Sequence, residues 1–161
     1  MKIIFLSIFT MTISNSFAQM DHNMMSSTMN TDTRRPLPLT AIMAEHQKQN
    51  MRGHLEAIRD LTEAFTTKNF KMIEDAGKRL GTSSEMKMMC EHMGMGADGF
   101  TEMALKMHSE ADKITEAGQK KNLKAAMIAT NQTLQRCTAC HAVFRQEVLS
   151  EEDWKKATIK K

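Results

Sequence analysis

Residues 123–149 read LKAAMIATNQTLQRCTACHAVFRQEVL, and this stretch decides the fold. Met127, Thr130, Leu134, Cys137, His141, Phe144 and Val148 recur every three or four residues, as along one side of an α-helix, and no proline interrupts them. The spacing predicts a helix from about Leu123 to Leu149. Within it Cys137, Cys140 and His141 stand as C-x-x-C-H, the attachment signature of a covalent haem, in which two thiols bond to the porphyrin vinyls and the imidazole ligates iron. A helical turn sets both sulfurs along one edge of the ring and lets the next residue swing over the metal. A bare C-x-x-C also occurs in thioredoxin-like redox motifs and in half zinc sites. The first reading needs a βαβ context and the second another ligand pair, whereas this chain shows no strand pattern and one further cysteine, Cys90. The expected cofactor is one haem c per chain, bonded to Cys137 and Cys140, with His141 as proximal iron ligand.

Upstream, the apolar residues keep helical spacing from Leu39 onward. A first helix is expected from about Leu39, with Thr40 as cap, to about Thr67, with Met43, Gln47, Met51, Leu55, Ile58, Thr62 and Phe65 on one stripe. Lys68-Asn69 marks a break. A second helix covers roughly Phe70 to Leu80 and stops at Gly81; a glycine- and serine-punctuated loop follows from Thr82 to Gly99, its first half able to form a short helix after Ser83 or Ser84. A third helix runs from about Phe100 to Ala117 and ends at Gly118. Four amphipathic helices with short connections predict an all-α domain, an antiparallel up-down-up-down four-helix bundle with the haem in its core.

The N-terminus predicts the compartment. Lys2, an apolar run from Ile3 to Ile13 and small residues at Ser16 and Ala18 read as a signal peptide over residues 1–18, cleaved on export to the periplasm, where covalent haem attachment takes place. The apolar run is too short for a stable membrane span. Residues 19–38 read as a disordered leader, 39–149 as the bundle and 150–161 as a basic C-terminal tail. Without Lys2 the count is 21 basic against 19 acidic residues, a near-neutral balance that offers nucleic acid no partner.

A four-helix domain carrying C-T-A-C-H-A-V-F-R near its end resembles the cytochrome c′ family over about residues 39–149. The resemblance implies a secreted haem protein, either six-coordinate with a methionine from the first helix and suited to one-electron transfer, or five-coordinate and able to bind gases such as nitric oxide. Periplasmic redox proteins or small gases are the implied partners. An arginine at this place of the family motif, here Arg145 and one helical turn past His141, would reach a haem propionate. An antiparallel bundle puts the N-terminal half of the first helix opposite His141, which makes Met51 the candidate sixth ligand and Met43 the alternative, about 12 Å apart along the helix. His54, near the same stripe, is a further candidate for the sixth position.

The chain holds 17 methionines and no tyrosine, and thioether is a soft metal ligand as well as adaptable packing. Met20, His22, Met24, Met25 and Met29 in the leader, and Cys90, His92, Met93 and Met95 in the loop, therefore suggest a third class, a copper-handling protein with an accessory haem. Cys90, left over in a secreted chain, also leaves a homodimer open. No nucleophile–base, phosphate-loop or paired-carboxylate constellation points to an enzyme.

Overall fold

In the computed structural model residues 32–159 are described; the expected signal peptide and the leader's Met/His cluster lie outside them. The chain is mostly helical. Strand β1 (Arg35–Thr40) runs straight into helix α1 (Ala41–Thr67), followed by α2 (Phe70–Leu80), α3 (Ser84–Met93), a single 3-10 turn (Gly94–Gly96), α4 (Phe100–Gln119), α5 (Leu123–Val143), strand β2 (Phe144–Leu149) and α6 (Glu151–Thr158).

Local chemistry sets most of these boundaries. Thr40, Asn69, Ser83, Asn122 and Ser150 each accept a backbone N–H of the helix they precede, satisfying a donor that has no partner within the helix. Lys68 takes a left-handed conformation at φ 53°, which turns the chain between α1 and α2.

Helix α1 packs on α2, α2 on α4 and α4 on α5, and two apolar clusters join them. One gathers Ala57, Leu61, Ile73, Leu80, Ile114 and Ala126 with their neighbours. The other lies at the opposite end, around Leu37, Leu39, Ala44, Met93, Phe100 and Phe144, with Met43, Cys140 and Val143 against it. Helices α2 and α4 come together backbone to backbone. A Cβ on Gly77 would stand 2.7 Å from the Thr115 nitrogen, and one on Gly118 2.8 Å from the Glu74 nitrogen. Gly118 therefore serves close approach inside α4, which continues to Gln119, and does not terminate the helix.

The expected helix over 123–149 is corrected at its end. It stops at Val143, and residues 144–149 pair in parallel with β1 in the register Arg35↔Phe144 to Thr40↔Leu149. Phe144, Gln146 and Val148 alternate, so this short apolar pattern suits either structure, and a partner strand more than a hundred residues away decides between them. Pro36 and Pro38 lack an N–H yet fit a two-stranded sheet, where every strand has a free edge. The leader's last residues are thus ordered, with Leu37 only 2% exposed. The C-terminal segment is also structured: α6 buries Trp154, whose indole N–H donates to the Pro38 carbonyl at 3.1 Å.

Candidate functional site

The site is built on the two helices that the strand pair ties together. Strand β1 leads into α1 and β2 leaves α5, and the Gln146 amide of β2 donates to the Ala44 carbonyl at 3.2 Å and to Gln47 Oε1 at 2.6 Å on α1. Ion pairs fix how each helix is turned. Asp60 of α1 meets Arg79 of α2, and Arg136 of α5 lies 4.0 Å from Glu110 of α4. At 100° per residue, Met51, Leu55 and Ile58 fall on the flank of α1 away from Asp60, and Met127, Leu134 and His141 on the flank of α5 away from Arg136. Helices α1 and α5 both pack on the first apolar cluster, and the last turns of α5 pack on the second, so the helical geometry points to these two flanks as the walls of one groove between the helices.

The groove is apolar and open. Met51 is 37% exposed, Leu55 70%, Met127 51% and Leu134 39%, although all lie on helices whose other sides are well packed. Large apolar side chains this exposed on otherwise well-packed helices are the kind of surface a ligand or partner can cover. The attachment motif sits at one end of it, in the last turns of α5. Cys137 and Cys140 are both free thiols, half-buried, and burial raises the pKa of each; the neighbouring Cys137 raises that of Cys140 further. His141 is exposed, and its carbonyl accepts the Arg34 guanidinium at 3.3 Å.

These residues fit a haem. Apolar walls would cover the macrocycle, Cys137 and Cys140 would bond its edge, and His141 would ligate its iron; such a group would supply a one-electron couple. Of the candidate sixth ligands, Met51 stands on the groove wall and Met43 packs toward the cluster that holds Cys140. Arg145 is on β2 and so is not one helical turn past His141, which corrects the premise of its assignment; it pairs with Glu147 at 3.7 Å at the same end of the molecule.

Other groups were less legible. His54 is half-buried, its ring meets that of His108 edge-on at 5.5 Å between centroids, and its Nε2 is buried without a hydrogen-bond partner. Burial, and then the charge of His108, lowers its pKa to about 4. His108 donates Nδ1–H to the Leu80 carbonyl at 2.7 Å, and its own pKa is lowered by burial. Two histidines at unrelated sequence positions give no spacing signal. Arg35 lies over the Phe144 ring at 4.6 Å, a contact set by strand pairing.

The Cys90, His92, Met93 and Met95 group is not brought together. Cys90 and His92 are two residues apart on α3, about 200° around its axis. Cys90 is buried, its thiol pushed up to about 11 by burial first, while His92 packs on Trp154 at 5.3 Å. Among the described residues no group of three or more His, Cys, Asp or Glu side chains could hold a metal, and no helix is long and apolar enough to cross a membrane. Comparison with protein-family models, curated proteins and solved structures gives no match.

Proposed function

We propose that this chain is an exported c-type haem protein that carries one covalent haem in the α1–α5 groove and transfers single electrons. The observation that supports this reading is C-x-x-C-H in the last turns of α5, on a helix whose Met127 and Leu134 stay exposed, as do Met51 and Leu55 of α1. In this reading α1, α2, α4 and α5 are the four helices of a bundle similar to cytochrome c′, with the strand pair as an additional clasp. Cys137 and Cys140 hold the cofactor, His141 binds the iron, and the groove walls exclude water, which favours the uncharged reduced site. A thioether from Met51, or from Met43, raises the potential further by preferring reduced iron.

A five-coordinate, gas-binding haem protein is the second reading, favoured by the exposure of Met51 and Leu55, which leaves one wall of the groove loose. Optical spectra of the oxidised and reduced protein, with carbon monoxide added to the latter, decide between them. Electron transfer predicts a low-spin ferric spectrum that Met51→Ala converts to high-spin with ready carbon monoxide binding. A change with Met43→Ala alone moves the ligand two turns along α1. A wild type already high-spin and open to carbon monoxide replaces electron transfer with gas binding.

A further inference from the structure

Away from the groove, α1 and α3 meet through soft ligands. The imidazole Nε2 of His46 lies 2.7 Å from the Met89 sulfur, a contact between side chains 43 residues apart in sequence. Met86, Met89 and Met93 recur at helical spacing and share one strip of α3, and Met93 packs with Met43, one turn before His46 on α1, in the same apolar cluster. His46 is exposed and Met89 partly so, and both can be reached from water, while Met93 is buried in the cluster and lies one turn along α3 from Met89. An imidazole touching a thioether, with a second thioether one turn away and no carboxylate in the set, is a donor group for a soft d¹⁰ cation rather than for zinc, magnesium or calcium.

We propose that His46 Nε2, Met89 Sδ and Met93 Sδ form a binding site for Cu(I), independent of the haem reading. A metal held at about 2.0 Å from nitrogen and about 2.3 Å from sulfur needs these two donors roughly 3.6 Å apart, so the pair opens by about 1 Å. The exposed His46 and partly exposed Met89 side chains, with two and three rotatable bonds, accommodate that without moving either helix. The ion enters as Cu(I) and stays Cu(I); no electron is exchanged and no thiol is consumed.

Silver(I), a redox-silent stand-in, tests the site on the purified full chain labelled at the methionine methyl carbons. NMR then reads each thioether separately, so metal taken up by Cys90 or by Met20, Met24, Met25 and Met29 is distinguished from metal bound here. Once the cysteine thiols not bonded to haem are filled, the next equivalent should shift the Met89 and Met93 methyl signals, and Zn(II) should leave them in place. His46→Ala, shown folded by circular dichroism, should need roughly tenfold or more silver for the same shift. Met89→Leu, a volume-conserving change, should abolish the Met93 shift at the same silver level. The site is overturned if His46→Ala titrates as the parent does, if zinc shifts the same signals, or if only methionines outside α3 respond.

Discussion

Where α2 crosses α4, Gly77 and Gly118 let the backbones touch and Ile73, Ala76, Ala111 and Ile114 are wholly buried; where α1 runs beside α5, Met51, Leu55, Met127 and Leu134 stand partly in water. The residue types are equally apolar, so composition does not explain the difference. Helices that close on each other through small residues finish their own interface. Long side chains flanking a pair of thiols leave room for a third body, and filling it would recover roughly 1.5–3 kcal/mol for each large side chain fully covered. In the proposed reading the closed seam holds the fold and the open one takes the cofactor.

The contrast is broken most sharply by matched truncations. Ile114→Ala in the closed seam should cost about 2–5 kcal/mol of unfolding free energy. Leu134→Ala in the groove should stay within about 0.5 kcal/mol in a haem-free Cys137→Ala, Cys140→Ala chain, and become clearly destabilising once haem is attached. Denaturant melts of the haem-free parent and both its truncations, and of the haem-bearing parent and its Leu134→Ala variant, check this; an equal cost for both truncations without haem would erase the distinction between the seams.

Next in size is an acid effect on the interior beside the groove. The folded-state pKa of His54, about 4, lies below its unfolded value of 6.5, so the folded protein binds fewer protons between those values. His54 then contributes stability that is complete above pH 6.5 and lost as pH falls toward 4, about 3 kcal/mol in all. His108, also lowered, adds in the same direction, and Asp112 near it opposes the shift. Urea melts from pH 7.5 to 4 should show His54→Leu losing less stability than the parent over that range; parallel curves would mean that the histidine is not held neutral.

The smallest effect belongs to backbone approach. Gly118→Ala puts a methyl against the Glu74 backbone and should cost about 1–3 kcal/mol, whereas Gly53→Ala, on a helix with nothing within 4 Å of the new methyl, should be neutral or slightly stabilising. Thermal melts of both variants sharpen the comparison.

Much of this was legible in the sequence because it is local. The Thr40 cap, the break at Lys68-Asn69, a helix start after Ser83 or Ser84, helical periodicity and the C-x-x-C-H spacing all act within a few residues. The strand pair was not legible, since Phe144–Leu149 suits a helix or a strand until Arg35–Thr40 supplies its backbone partner. For the same reason Arg145 changed element, and the stripe expected to bury Met51 and Leu55 proved to be the flank next to the buried line through Ala57, Leu61 and Ala64. Periodicity finds a helix's apolar side to within a residue or so of rotation, and that margin separates core from groove. The His54–His108 and His46–Met89 contacts join distant segments, which no spacing records.

The most direct test of the central claim is the intact mass of the protein isolated after expression with a working haem-maturation system. The expected mass is the polypeptide plus one haem that survives acid-acetone extraction, and the bare polypeptide for the Cys137→Ala, Cys140→Ala variant. A wild type recovered only at the bare polypeptide mass would contradict it.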